Sequence, residues 1–321
     1  MKILITGGAG FLGQRLAHRL LRHYPGPLTV LLADRVTTDA LAADRRVQSV
    51  ACDITQRADL ARLVGSDTTV IYHLAAIVSS QAEAEFDLGM KINLEATQAL
   101  LEVSRGLPRP PTFVFTSSLA VFGGELPDVV TDQTAVRPQS SYGAQKAVGE
   151  LLVNEYSRRG FVDGRVVRLP TISIRPGKPN RAASSFVSGI MREPLSGDPA
   201  VCPVNRDVRL WLSSPAAAVE NLLRAHLIPA AELGANRTIN LPGLSVTVAE
   251  MIETLGQIAG PEVAARIRFA RDEAVERIVA SWPGRFDIAR ALALGFQGDQ
   301  DFASIIRNYQ REMTPGASAN G

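Results

Sequence analysis

The sequence predicts an α/β fold, a doubly wound parallel sheet followed by a smaller C-terminal lobe. Three observations predict it. Up to Thr171, short apolar runs alternate with amphipathic helical stretches, the pattern that builds a parallel sheet with helices on both faces. The chain opens on Ile3–Ile5, a β-run broken at once by glycines and followed by helical spacing from Phe11 to His23. After Thr171 the composition changes, and residues 175–206 are rich in Arg, Pro, Gly and Ser. The expected division is 1–172 for the sheet domain, with 207–228 returning to it, and 173–206 plus 229–321 for the lobe.

Strand, glycine turn and helix in that order are the context of a dinucleotide-binding fingerprint, which makes the sheet Rossmann-type. The glycines fit two registers, Gly8-x-Gly10-x-x-Gly13 and Gly7-x-x-Gly10-x-x-Gly13. Gly7 permits the tight turn, Gly10 lets a pyrophosphate approach the backbone, and Gly13 lets helix and strand pack closely. Phe11 and Leu12 open the helix, whose free N–H groups and partial positive charge suit phosphate. A plain glycine turn is the competing reading of the loop by itself.

Leu28–Ala33 reads as a second buried strand ending at Asp34. An acid there accepts both hydroxyls of the adenosine ribose and repels a 2′-phosphate. NAD is therefore expected over NADP, with Arg35 as the residue that argues the other way. Val47–Ala51 is the third strand, followed by Cys52-Asp53-Ile54 and a helix with Thr55 as its N-cap. Thr69–Leu74, the fourth, runs into Ala75-Ala76, small residues that suit either a flat ligand or tight packing on the first helix.

One long helical region is expected from Gln81 to Arg105, carrying Asn93 among apolar neighbours where a buried structural partner is plausible. Thr112–Thr116, the fifth strand, delivers Ser117-Ser118 to its carboxyl end, where open α/β sheets bind ligands. Ser141 opens a helix through about Arg158, and Tyr142 and Lys146, four apart, share one of its faces. Gly164–Leu169 leads into Pro170-Thr171. Beyond it, the pattern predicts helices at Ser184–Arg192, Ala216–His226, Val248–Ala259, Ile288–Ala293 and Phe302–Arg311, with strands at Val208–Leu212 and Thr238–Leu241.

The composition excludes several classes. Hydrophobic content of 46%, charged content of 21% and a net charge of +2 are ordinary, and the charge is too small for a nucleic-acid or membrane surface. Cys52, Cys202 and the four histidines His18, His23, His73 and His226 show no metal-ligand spacing, so they read as structural and no metal is expected. Two cysteines and no signal peptide point to the cytoplasm. The longest apolar run is too short to span a bilayer, and Thr314–Gly321 reads as a tail.

Oxidising an alcohol with NAD requires a base for the hydroxyl proton. Tyrosine is a poor one at its reference pKa of about 10, but a nearby ammonium and a cationic nicotinamide favour the phenolate. A serine hydroxyl then orients the substrate oxygen. Ser118, Tyr142 and Lys146 supply these three roles. A surface Tyr and Lys on an ordinary helix is the plain reading of the spacing, but it leaves the glycine loop, Asp34 and Ser118 unexplained.

With these residues in place the chain resembles the extended short-chain dehydrogenases/reductases, the group of NAD-dependent sugar-nucleotide epimerases and dehydratases. The resemblance rests on Thr6–Gly13, Asp53-Ile54, His73–Ala76, Asn93, Ser117–Gly123 and Tyr142–Lys146. It implies that Asp53 and Ile54 flank the adenine, that Ala75 and Ala76 line the cofactor channel, and that Asn93 helps hold the active-site region. It further places Pro170 and Thr171 near the nicotinamide and implies a homodimer joined through the helices of Asn93 and Tyr142.

The departures bear on the reaction. Ser118-Leu119-Ala120 lacks the acid and base of the dehydratases, and Arg209–Ala217 keeps the leading arginine of the sugar-nucleotide pattern but loses both of its aspartates. Arg209, with Arg175, is therefore a candidate to hold a carboxylate through a bidentate pair; a surface ion pair is the alternative for each. The segment Arg168–Phe186, with Arg209–Trp211, resembles the branch that oxidises free four-carbon sugar acids such as D-erythronate at C2. The expected partner is a small sugar acid, with Ser79 and Ser80 also in its pocket. The rival readings are a nucleotide-sugar 4-epimerase with tightly bound NAD and a non-catalytic NAD sensor.

Overall fold

The computed structural model describes residues 1–179 and 182–313; the tail Thr314–Gly321 and the pair Asn180-Arg181 of the segment above lie outside the described residues. The central strands are β1 (Lys2–Thr6), β2 (Thr29–Asp34), β3 (Val47–Ala51), β4 (Thr68–His73), β5 (Thr112–Ser118) and β6 (Asp163–Leu169). They stand in the order 3-2-1-4-5-6, every pair parallel. This is the doubly wound Rossmann arrangement, and the order reverses between β1 and β4, where such sheets open their ligand crevice.

Side-chain alternation explains why the strands read as continuous apolar runs. Ile3, Ile5, Val30, Leu32 and Val114 enter one core with the helix Phe11–His23. Leu4, Leu31, Phe113 and Phe115 enter the other, against Ala96, Leu100 and Leu101. Both faces are covered, so no strand position of the inner sheet is left for a polar side chain without a role.

The remaining strands are β7 (Thr171–Ile172), β8 (Ala200–Cys202), β9 (Arg209–Ser213), β10 (Thr238–Asn240), β11 (Leu244–Thr247) and β12 (Ile267–Phe269). β9 joins β7 in parallel and β11 antiparallel, and β8 pairs with β12. A separate core gathers Val187, Ile190, Leu210, Leu212, Met251 and Ile306.

Two segments cross the division expected from composition. β10 adds to the large sheet beside β6, and Ala291, Leu294 and Phe296 pack into the large domain's core, although all lie beyond 228. Conversely β9, within 207–228, sends Leu210 and Leu212 into the lobe core, while the helix after it, Pro215–Leu227, returns to the large sheet through Val219, Leu222 and Leu223. The unpaired edge of β6 accepts whichever apolar run reaches it, and composition carries no record of that pairing.

Local details differ too. The long helix is Ser79–Ala84, Phe86–Gly89, a π-helical turn Met90–Glu95 and Ala96–Arg105. Such wide turns collect at functional sites, and this one turns Asn93, 1% exposed, into the protein. Thr55 is not a helix cap: its hydroxyl donates to Asp53 Oδ1 (2.8 Å), and the cap position belongs to Gln56. Among the described residues no helix is long and apolar enough to cross a membrane, and no cluster of three His, Cys, Asp or Glu side chains is placed to hold a metal.

Candidate active site

The glycine loop uses both registers at once. Gly7 has φ +71°, a conformation L side chains resist. A Cβ on Gly13 would stand 2.4 Å from Gly7 O, and one on Gly8 would stand 2.7 Å from Leu32 Cα. The Gly10 N–H donates to Gly7 O (3.0 Å), which closes the turn. The following helix starts on Gly10 with no side-chain cap and no acidic residue in its first turn, so nothing negative competes with a phosphate there. These features fit NAD.

Asp34 stands on the rim of the loop. Its Oδ2 accepts the Ala9 N–H (3.1 Å) and its Oδ1 the Arg35 N–H (2.7 Å), which fixes the carboxylate beside the glycine loop. Next to it, Cys52 N–H donates to Asp34 O (2.7 Å). Asp53 accepts from both the Thr55 hydroxyl and its N–H, which hold its carboxyl below the usual range, and Ile54 is buried. Ala75 N–H reaches Thr6 Oγ1 (3.4 Å) and would be 2.9 Å from a Cβ on Gly7: the two turns touch.

A cavity of about 370 Å³ connects this loop to the Ser, Tyr and Lys. Gly7, Gly10, Phe11, Leu12, Gly13 and Ala76 line it on one side; Ser79, Ser118, Tyr142, Lys146, Pro170, Thr171 and Arg175 line the other. The catalytic candidates therefore meet the cofactor candidates in one space. Asp34, Asp53, Ile54, Ala75 and Asn93 do not line it.

Three substrate candidates stand elsewhere or do something else. Ser80, one residue on from Ser79 along a helix, does not line the cavity. Ser79 lines it, but its Oγ also accepts the Ala183 N–H (3.1 Å). Arg209 leaves the cavity of Tyr142 altogether. It is 3.4 Å from Ser245 Oγ and 3.7 Å from Glu250, and it lines a neighbouring cavity with Asp128 and Arg285. The alternation along β9 is the reason: Leu210 and Leu212 take the lobe core, which puts Arg209 and Trp211 on the opposite face. Arg175 is the arginine that reaches the cavity, its guanidinium pushed down by burial and by the charge of Arg192. Trp282, Ser184 and Val78 also line the cavity. No motif marked them, since a lone Trp in Ser281-Trp282-Pro283 has no period or partner in sequence.

Tyr142 and Lys146 are both pushed toward their neutral forms. Burial raises the Tyr142 phenol to about 12, with the Ser118 hydrogen bond pulling back. Burial lowers Lys146 to about 7, opposed by Glu150 one turn along the same helix. The ammonium, 2% exposed, donates to Thr116 O (2.8 Å) and lies over the Phe115 ring at 4.7 Å. Glu150 is itself buried and accepts from Ser117 Oγ (2.5 Å) and twice from Arg168 (2.8 and 2.6 Å).

A second buried chain braces the strand that leads into the glycine loop. Thr97 donates to Asn93 O (2.8 Å), so its oxygen accepts from His73 Nε2 (2.8 Å), and His73 Nδ1 accepts from Thr6 (2.7 Å). Burial and the charge of Lys146 lower His73 to about 3, which keeps the ring neutral. Asn93 itself clamps Ile77, accepting its N–H (2.9 Å) and donating to its C=O (3.1 Å), and donates to Gln145 (2.8 Å) beside Lys146.

The sequence profile of the NAD dependent epimerase/dehydratase family matches residues 3–216. The chain is 54% identical over 322 aligned residues to D-erythronate dehydrogenase of Cupriavidus necator, spanning 97% of this chain and 98% of that one. It is 52% identical to D-erythronate dehydrogenase of Haemophilus influenzae, over 96% and 98%. A solved structure, a nucleoside-diphosphate-sugar epimerase from Agrobacterium tumefaciens, superposes with a TM-score of 0.91 at 42% identity, covering 98% of this chain and 94% of that one.

Two outcomes are expected. Asp34→Ala should weaken NAD binding and narrow the preference for NAD over NADP, checked by titrating both cofactors. His73 has a folded value below its unfolded 6.5, so the unfolded chain binds the extra proton. Its neutral burial is therefore without cost above pH 6.5, and stability falls by about 1.4 kcal/mol per unit as the pH drops from there toward 3. Urea unfolding against pH should show this slope, and His73→Gln should lack that share of it.

Proposed function

The chain belongs to the NAD-dependent epimerase/dehydratase family, and we propose that this dehydrogenase oxidises a small free sugar acid, D-erythronate, at C2 to 2-dehydro-D-erythronate. The observation that carries the reading is the single cavity in which Ser118, Tyr142, Lys146 and Arg175 face the glycine loop, together with the names of its relatives above 50% identity.

In this reading the loop from Gly7 to Gly13 and the helix start hold the pyrophosphate, and Asp34 holds the ribose. When bound, NAD supplies the hydride acceptor and a positive ring charge. Tyr142 takes the proton of the C2 hydroxyl. Its phenol stands too high to do so by itself, so the ammonium of Lys146 and the hydrogen bond from Ser118 are needed to favour the phenolate. Glu150 works against the burial that draws Lys146 toward its neutral form. Ser118 also orients the substrate oxygen, and Arg175 pairs with the carboxylate, a fork that fits its two oxygens. The lobe residues of the cavity, from Thr171 to Trp282, form the substrate side.

The name of the Agrobacterium structure favours a second reading, a nucleotide-sugar 4-epimerase that retains its NAD. Arg209 argues against it: the residue kept from the sugar-nucleotide pattern lines another cavity than the one with Tyr142. A non-catalytic NAD sensor would have no use for a phenol, a serine and a buried ammonium gathered at the cofactor.

We also propose a homodimer joined through the helices that carry Asn93 and Tyr142. Leu151 (68% exposed) and Val148 (41%) on the helix of Tyr142, and Phe86 (56%) on the short helix just before the turn of Asn93, stand exposed, apolar side chains of the kind that mark an interface.

Enzyme, NAD and D-erythronate should generate the NADH absorbance band, and Tyr142→Phe should lower kcat by about 10²–10⁴-fold while NAD binding holds. No NADH from any short aldonate, with turnover of a UDP-sugar, would overturn the assignment. Leu151→Glu should shift the protein from dimer to monomer in sedimentation; a monomeric wild type would sink the dimer.

A further inference from the structure

Trp282 lines two cavities. One holds Ser118, Tyr142 and Arg175; the other, also about 370 Å³, is walled by Asp128, Val208, Arg209, Gly284 and Arg285. The backbone around Trp282 is tied down on both sides of the residue. The Trp282 backbone N–H donates to Val279 O (3.2 Å) where the helix Glu273–Ala280 ends. Two residues on, Gly284 lies so close to β9 that a Cβ would stand 2.7 Å from Arg209 Cγ. Beyond that, Val130 N–H donates to Arg285 O (3.0 Å) and Asp287 N–H to Val130 O (2.8 Å). The indole packs at once on the lobe core and on the cluster of Phe122, Trp211 and Phe286.

The second cavity carries charges of both signs. It presents two guanidiniums, Arg209 and Arg285, and one carboxylate, Asp128. Glu250, 3.7 Å from Arg209, is half exposed at 53%. Both arginines act on it, after its own hydrogen bond from Thr247, to hold its carboxyl low. A guanidinium can exchange such a partner for a phosphate or a second carboxylate.

We propose that Trp282 is a partition that sets substrate length, closing the catalytic cavity against the cavity of Arg209 and Arg285. A four-carbon sugar acid then fits, while a longer acid, or one ending in a second anion, meets the indole. Removing the ring joins the two spaces and turns the arginines into the recognition site for the far end of an extended anionic substrate. This inference rests on the sugar-acid reading of the catalytic cavity.

The test compares kcat/KM for D-erythronate, a six-carbon aldonate and D-erythronate 4-phosphate in wild type, Trp282→Ala and Trp282→Phe. Trp282→Ala should shift the ratio toward the two larger acids by about tenfold or more, and Trp282→Phe should stay near wild type. Adding Arg285→Met to Trp282→Ala should remove the gain for the phosphate ester but keep it for the six-carbon acid. An unchanged ratio in a Trp282→Ala protein that binds NAD normally overturns the partition; Trp282→Leu carries the same comparison if the alanine variant does not fold. No NADH from any short aldonate in wild type defeats the sugar-acid reading instead. Calorimetry on the NADH-loaded proteins then decides the partition: binding of D-erythronate 4-phosphate to Trp282→Ala but not to wild type supports it, and equal binding to both overturns it. Turnover of a UDP-sugar by wild type overturns both.

Discussion

The structure depends on one close approach, the first turn of the opening helix against the turn that leaves β1. With Gly13 stacked on Gly7 O, there is no room for a methyl group between them, and Gly8 is pressed as tightly on Leu32 of β2. That contact sets the helix start at the switch point of the sheet. Because Gly7 also abuts Ala75, the same contact sets the distance between the two strands that flank the crevice. Thr6, His73 and Thr97 then carry the constraint across the sheet to Asn93 and the π-helical turn. The ring in the middle of that chain must stay neutral for its two hydrogen bonds to hold.

The opposite wall is organised by charge in a low-dielectric setting. An ammonium as buried as that of Lys146 is costly to keep, and three features offset the cost: the carbonyl of Thr116, the face of Phe115 and the carboxylate of Glu150. Glu150 is in turn held by Arg168, which stacks on Phe122 and donates to Asn240; Asn240 donates to Asp132. The polar chain thus runs from the base of the cavity through the strand that β10 adds to the sheet. This gives β10 a second task beside covering the edge of β6.

How much was legible follows from the range of the interactions. The glycine loop, Asp34, the tyrosine and lysine one turn apart and the serine at the end of β5 are each local, and each declares itself in a few consecutive residues. Asn93 was visible as a polar residue among apolar ones, but its clamp on Ile77 and its bond to Gln145 join segments 16 and 52 residues apart. The break of the long helix was hidden for a similar reason, since Asn93 in the widened turn finds its partners in distant segments. Arg209 was legible as a retained arginine but not as a displaced one. Its direction is set by which face of β9 the lobe core takes.

The sequence by itself determined the doubly wound sheet, the glycine turn at its opening and the strand end and helix face that carry Ser118, Tyr142 and Lys146, because backbone sterics, strand alternation and helical spacing act within a few residues. Tertiary structure alone decided which arginine reaches the cavity, that β10 belongs to the large sheet, and that Trp282 stands between two cavities. Those features come from pairings between distant segments, in which apolar burial chooses the partner and the polar side chains take the directions left over.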